Sequence, residues 1–343
     1  MMSRKTRLVA MMISATLAVG MFTGCSEKST GESGAVGAEV VSSGASEAEN
    51  VEEKFTLEYT EIMKQQGFTE PIVLESKPQR VVCVSTSTTP LLFEVGASLV
   101  GIPTSTVFET PSDYNGEKLQ SLMSDDFNIE TVVALNPDLV IIPSSSKEQY
   151  GDALESSNIP VYYTNSGHSA TYESVVQEAE VIINAFGKDS ENAKKVLQSF
   201  DDLDKKMEES KKALEGKTVM ILATTQYIQS KSGTAGSMAD MIGLTNVYEN
   251  EQAGMVPLDQ ETTLGYNPDV ILAIGSSMSE EDNKAVFEAA FDENSEYWGS
   301  FEAIKNDKVI YLPSSYMPST GIGVIKQISD LIDLVYEKLE INN

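Results

Sequence analysis

Residues 130–146 read ETVVALNPDLVIIPSSS, and residues 261–277 read ETTLGYNPDVILAIGSS. A glutamate, an Asn-Pro-Asp triplet, an apolar run and a pair of serines fall at the same internal spacing in both, with the copies 131 residues apart (130 to 261). The proline stops any helix that the preceding residues begin, and the apolar run after it reads as a buried strand. A unit that ends a helix, turns and starts a strand belongs to a parallel sheet covered on both faces. Stated twice at this separation, in a chain of 343 residues, it predicts two similar α/β lobes.

The flanking sequence extends this pattern. RVVCVS at residues 80–85, NPDLVIIP and IPVYYTN alternate with helical stretches. From Tyr172 to Phe186, Val175, Val176, Ala179, Ile182, Ile183 and Phe186 recur at helical spacing, and Gly187 closes the segment. A highly charged helix follows over about 191–214, and KTVMILAT at residue 217 opens the second lobe. The expected fold is α/β: two Rossmann-like lobes joined by one long rigid helix, with a ligand cleft between them. The expected boundaries are 1–24 for a leader, 25–53 for a tether, 54–168 for the first lobe, 169–215 for the connecting helix region and 216–343 for the second lobe.

Arg4, Lys5 and Arg7 precede LVAMMISATLAVGMF, which ends at TGC. This is the pattern of a secretory signal, and the cysteine directly after the small residues makes it that of a lipoprotein, with Cys25 the lipid-modified N-terminus. A plain signal peptide with an incidental cysteine is the simpler alternative, and Phe22 stands where lipoprotein signals usually carry Leu. The Ser-, Gly-, Ala- and Glu-rich stretch that follows is a flexible tether to the cell membrane. With Cys25 lipidated only Cys83 remains, inside an apolar run, where it reads as a small buried hydrophobe.

Removing the leader takes three of 24 basic residues, leaving 21 against 52 acids, a net charge of −31. Nucleic-acid binding needs clustered cations and is excluded as a function class. Beyond the leader there is one arginine, Arg80, so a site built from bidentate guanidinium groups for a strongly anionic ligand is not expected either.

Ligands of open α/β sheets bind at the carboxyl ends of the strands. The segments there are STSTTP (Ser85, Thr86), TSTV (Thr104, Ser105), SSS (Ser145), TTQY (Tyr227), GSSM (Ser276, Met278) and SSYM (Tyr316, Met317). Hydroxyls with a few aromatic and thioether side chains make an uncharged, partly soft rim, although Ser and Thr also follow strands simply as turn formers. Catalysis finds no support: there is no GxSxG, no Walker loop and a single histidine, His168, which reads as an exposed loop residue.

KPQRVVCVS…LLFEVGASLVGIP, NIETVVALNPDLVI and WGSFEAIKNDKVIYL resemble the substrate-binding proteins of ABC importers for iron complexes and vitamin B12, from about residue 76 to the end. The resemblance implies a lipid-anchored, extracytoplasmic, monomeric receptor that performs no covalent chemistry and delivers its ligand to a permease dimer. In that family a surface glutamate on each lobe docks with permease arginines, and Glu130 and Glu261 match them. Both also suit the first turn of a helix on dipole grounds alone.

SLVGIPTS, MIGLTNVYEN, NPDVILAIGSSM and FDENSEYWGSFEAIKNDKV resemble most the haem-binding lipoproteins of the iron-regulated surface determinant E type. That branch holds haem iron between a methionine, matched by Met123, and a histidine whose position falls at Ser276. Haem is therefore the first ligand implied, with Met278, Tyr316 or Met317 in place of the histidine, and a siderophore or a corrinoid is the alternative. An enzyme or an adhesin on the same fold is more remote.

Overall fold

Apolar runs that neither alternate nor persist beyond a few residues form the centre of the molecule, a computed structural model that describes residues 54–122, 124–165, 171–318 and 321–341. In chain order the first part holds β1 (Phe55–Leu57), α1 (Glu61–Gln65), β2 (Ile72–Leu74), β3 (Val81–Cys83), α2 (Thr89–Glu94), β4 (Leu99–Pro103), β5 (Glu117–Leu119), α3 (Ile129–Ala134), β6 (Leu139–Pro143), α4 (Asp152–Ser156) and β7 (Val161–Thr164). Its main sheet has the order β5-β4-β3-β6-β7 and is wholly parallel. Val81, Val82 and Cys83 are buried completely, as continuous apolar strands covered on both faces should be. An antiparallel pair, β1 with β2, precedes it, and Phe55 packs edge-on against Phe186 at 5.0 Å.

Two helices follow, α5 (Tyr172–Phe186) and α6 (Glu191–Ala213). Thr171 and Ser190 cap their amino ends through side-chain oxygens. The long α6 buries Val196, Phe200, Leu203 and Met207 along one stripe and leaves its charges outside.

The second part contains β8 (Thr218–Leu222), β9 (Tyr227–Gln229), α7 (Thr234–Ile242), β10 (Thr245–Asn246), β11 (Met255–Pro257), α8 (Gln260–Leu264), β12 (Val270–Ile274), α9 (Glu280–Glu293), α10 (Ser295–Trp298), α11 (Glu302–Lys305), β13 (Val309–Leu312) and α12 (Val324–Leu339). Its sheet runs β11-β9-β8-β12-β13, with β10 also on β8. The β8, β12 and β13 ladders are parallel, whereas β9 turns back antiparallel on β8. Gly243 closes α7 at φ 104°, a left-handed cap that a β-carbon would strain.

Lys206 on α6 donates to the Ser329 carbonyl at 3.0 Å and pairs with Asp333 at 2.6 Å, fixing the long helix to α12. One apolar cluster is continuous from β3 and β6 through α5, α6 and α12 to β8 and β12. A second, around Phe287, Trp298 and Phe301, fills the far side of the second sheet. Among the described residues no helix is long and apolar enough to cross a membrane.

Candidate functional site

The repeated unit is first a piece of scaffold. In the first copy Pro137 ends α3, and the Asp138 carboxylate accepts from the backbone N–H groups of Gln79 at 2.7 Å and Arg80 at 2.9 Å, where the chain enters β3. The Arg80 guanidinium donates to the carbonyls of Asn136 at 3.0 Å and Leu135 at 2.6 Å, closing the carboxyl end of the same helix. In the second copy Asp269 accepts from Thr218 N and Thr218 Oγ1, both at 2.9 Å, and from Lys217 Nζ at 3.3 Å, where the chain enters β8. In both lobes the triplet therefore ends a helix, turns, and clamps the start of the neighbouring central strand.

The same geometry places the glutamates. Asn128 and Asp259 cap α3 and α8 by accepting from Glu130 N at 2.8 Å and Thr262 N at 2.7 Å. Glu130 and Glu261 are each the second residue of their helix, and both are exposed. Because each helix runs back to the amino edge of its sheet, its own amino end rises toward the carboxyl edge, by about 1.5 Å per residue. Each glutamate thus stands on the strand-end side of its lobe, next to half-buried Val133 in one copy and exposed Leu264 in the other.

On the first lobe, the chain after β3 folds into a hydroxyl cluster. Ser85 is buried, with Oγ 2.9 Å from Thr88 Oγ1 and 3.1 Å from Ser87 Oγ. Thr88 donates to Glu178 Oε1 at 2.8 Å, and Asn165 N donates to Glu178 Oε2 at 3.2 Å, so a helix α5 side chain joins the ends of β3 and β7. Thr86 is half-buried. Thr104 is exposed and its N–H donates to the Leu119 carbonyl, while Ser105 Oγ accepts from Val107 N at 3.0 Å. Ser145 is an exposed residue of the short 3-10 turn Ser144–Ser146. The Cys83 thiol lies beneath this cluster, pushed up to about 12 by burial against the weaker pull of Thr89 and Ser85, and so remains a neutral thiol.

On the second lobe, buried Asn283 organises the strand ends. Its Nδ2 donates to the Ser277 and Leu312 carbonyls, each at 2.9 Å, and its Oδ1 accepts from Ser277 N at 3.1 Å. Ser276 and Met278 project from the loop so fixed and are exposed. Met278 is 48 % exposed, and its Sδ accepts from Ser314 Oγ at 3.2 Å. Tyr316 is buried, and its hydroxyl, raised by desolvation first and by Asp330 and Glu280 next, donates to the Gln327 carbonyl at 3.1 Å. That hydroxyl is committed to helix α12. Met317 is half-buried and its Sδ accepts from Gln229 Nε2 at 2.9 Å; Tyr227 is exposed on β9.

A cavity of about 580 Å³ brings Val107 of the first lobe together with Met278, Ser315 and Tyr316 of the second. Its ionisable lining is Glu280, Asp330, Asp333, Glu337 and one cation, Lys326, which is paired with Asp330. Ser87, Thr88 and Glu178 lie instead at a separate, smaller recess, and neither Ser85 nor Tyr227 lines either of the two. Cys25, Met123 and His168 lie outside the described residues. Among the described residues there is no group of three or more His, Cys, Asp or Glu that could hold a bare metal ion.

Residues 81–316, well over half the chain, match the family described as periplasmic binding protein. The chain belongs to that family. This binding protein is 24% identical over 276 residues to the ABC transporter substrate-binding lipoprotein YvrC of Bacillus subtilis, covering 77% of this chain and 82% of that one. It is also 24% identical over 270 residues to IsdE, the high-affinity heme uptake system protein of Staphylococcus aureus, covering 75% and 87%. The vitamin B12 binding protein BtuF of Vibrio cholerae shares the fold at 14% identity, with TM-score 0.56, 75% of this chain and 98% of that one being covered. The two-lobed α/β fold and the membership in ABC-transporter substrate-binding proteins, which are binding proteins and not enzymes, thus stand as expected.

Two residues that organise this binding protein's strand ends carried no signal of their own. Glu178 was one more acid among 52, inside a helical pattern, and Asn283 stood in an acidic stretch, SEEDNKA, that reads as a solvated helix face. The spacing of Glu178, two residues after Val176 and one before Ala179 on the buried stripe of α5, was the only available hint.

Proposed function

We propose that this protein is a lipid-anchored receptor that takes up a metal chelate without net negative charge, of the corrinoid or hydroxamate-siderophore kind, and hands it to a membrane permease. One observation carries the choice of ligand. The only arginine beyond residue 7, Arg80, is used up at the amino edge of the first sheet on backbone carbonyls, while the cavity near Met278 and Tyr316 offers four carboxylates, of which Asp330 is paired with Lys326 and Asp333 with Lys206. An anionic chelate would meet repulsion there, and no bidentate guanidinium. A chelate whose metal is already saturated needs no protein donor, which suits Ser276 and the committed Tyr316 hydroxyl.

Haem is the second reading, favoured by Met278: a thioether left 48 % exposed and hydrogen-bonded at a strand end is available to iron in a way that a core methionine is not. Met123 would be its partner donor. The two readings separate in absorption titrations of the chain lacking residues 1–25 with haemin, cyanocobalamin and a ferric trihydroxamate. Saturable binding of either of the last two, with haemin bound weakly, supports the first reading. A shifted Soret band that moves again in Met278→Ala and Met123→Ala overturns it in favour of haem. Docking through Glu130 and Glu261, and anchoring through Cys25, complete the proposal; Cys25→Ala is expected to release the protein from the membrane fraction.

A further inference from the structure

The chain between β13 and α12 leaves the second lobe and returns to it. Ser314 N donates to the Ser277 carbonyl at 2.9 Å, and the Tyr316 hydroxyl donates to the Gln327 carbonyl at 3.1 Å. Gln327 Nε2 in turn donates to the Ser315 carbonyl at 2.9 Å. Both ends of the connection are thus tied to the second lobe. Its middle, the short 3-10 turn Gly321–Gly323, packs instead on α2 of the first lobe and on α5.

The fit at that turn is close in the backbone and loose in the side chain. Gly321 is buried at φ 58°, and a β-carbon there would stand 1.8 Å from the Ser87 carbonyl oxygen and 2.7 Å from its carbon. Those are backbone atoms that cannot swing aside, so both the left-handed conformation and the contact require glycine. Ser87 belongs to the strand-end segment after β3, which puts the contact on the ligand-facing edge of the first lobe. Ile322, the one large side chain of the turn, is half-buried against the core. On one side it meets a recess shared with Leu91 of α2 and Val175 and Ala179 of α5. On the other it borders a groove of about 440 Å³, shared with Val196 of α6 and Ile325 of α12.

A seat of this kind holds without locking. Widening the cleft must lift Gly321 off Ser87 and draw Ile322 from between α2 and α5. Helix α12 is not free to yield in their place, because Lys206 of α6 holds it through the Ser329 carbonyl at 3.0 Å and Asp333 at 2.6 Å. The cost of unseating is only part of an isoleucine's burial, since Ile322 already borders an open groove.

We infer that Gly321–Gly323 is a latch between the lobes: it sets how far the cleft opens, and ligand enters and leaves as Ile322 unseats. The inference rests on the reading of a chelate held between the lobes and names the movement that admits it.

The test measures the distance between spin labels at Glu148→Cys and Ala289→Cys, exposed positions on the first and second lobes, in the full chain in detergent micelles. Cys25→Ser removes one competing thiol, and the other, Cys83, is buried and pushed up to about 12, so it stays unlabelled. In this background Gly321→Ala should move the main distance to longer values. Gly96→Ala is the control: its φ of 65° carries the same backbone strain, but a β-carbon there meets nothing within 4 Å, so the distance should stay. Ile322→Ala should add a longer-distance population, a shift of about tenfold toward the open form for half of an isoleucine's burial. Without the labels, Ile322→Ala should speed dissociation by the same factor, read with whichever of cyanocobalamin, a ferric trihydroxamate or haemin the natural chain binds.

Distances unchanged in both latch variants would overturn the inference and leave the receptor. So would equal opening in Gly96→Ala, or opening in Ile322→Ala with dissociation unmoved. Should Gly321→Ala lose its fold by circular dichroism, the milder Ile322→Ala decides alone. Failure of all three probes to bind would overturn the chelate reading, while the distances still decide whether the turn holds the lobes.

Discussion

The two copies of the repeat agree at one end of the strand and diverge at the other. Before the strand, Asp138 and Asp269 perform the same clamp on the neighbouring central strand, and Glu130 and Glu261 stand at the same place on a capped helix. After the strand, the matched positions are Lys147 and Met278. The Lys147 ammonium lies 4.8 Å over the Phe68 ring and 5.2 Å over that of Tyr163, held down on the first lobe. Met278 is exposed at the edge of the cavity, on a loop that Asn283 fixes. What is repeated is the frame and the outward-facing acid; what differs is the end that would meet a ligand. The proposed receptor role would use that division, since a docking partner would meet both lobes alike and a ligand between them would not.

Four measurements break or sharpen this comparison, in falling order of effect. If the matched glutamates are equivalent docking points, Glu130→Ala with Glu261→Ala should abolish permease-dependent uptake, each single change should weaken it, and chelate binding should be untouched. Uptake that survives the double change leaves the pair as helix-terminus acids only.

Asn283 and its counterpart Asp152 test the divergent ends. Asn283→Ala strands the Ser277 and Leu312 carbonyls and Ser277 N, and should cost about 2–3 kcal/mol in urea unfolding. Asp152→Ala, at an exposed helix start, should stay within about 0.5 kcal/mol. Equal losses would mean that the second-lobe loop is not specially held.

The clamps come next. Asp269→Ala should cost about 1–2 kcal/mol, somewhat more than Asp138→Ala, because it loses a hydroxyl and a lysine as well as a backbone partner. Burial would raise the Asp269 carboxyl, yet the Thr218 and Lys217 donors outweigh it and hold the group below the usual aspartate value. Its stabilisation is accordingly complete above the unfolded value of about 3.9 and lost as pH falls through the lower folded one. Acid titration of Asp269→Asn should show a shallower loss over that window than the natural chain.

The smallest effect belongs to the matched Lys147 and Met278. Lys147→Ala should destabilise by about 0.5–1 kcal/mol through its ring contacts, and Met278→Ala by less, since half its surface is already in water. Met278→Ala should be the one of the two that changes ligand binding. The opposite pattern would place the ligand contacts on the first lobe.

Much of the frame was legible because it rests on local rules. The apolar runs at β3, β6, β8 and β12 are continuous, as strands buried on both faces must be, and the proline of each triplet forbids the preceding helix from going on. The helices expected from Tyr172 and from about residue 191 begin there, behind the caps Thr171 and Ser190. Of the expected strand-end residues, Ser85, Met278 and Tyr316 are three different things: a buried hydroxyl in a network, an exposed thioether and a phenol turned to helix α12.

By itself the sequence determined the alternation of elements, the doubling of the α/β unit, the acidic surface and the near-absence of arginine, since each of these follows from composition or from neighbours a few residues apart. Only the tertiary structure decided that Arg80 serves carbonyls rather than a ligand, that Asn283 holds the Met278 loop, and that Glu178 ends a chain of hydroxyl donors. These contacts join residues 6 to 90 positions apart, and what an ionisable or amide side chain does depends on the groups that packing brings to it. A charge in a sequence names only what a residue is able to do; burial and its partners settle which of those things it does.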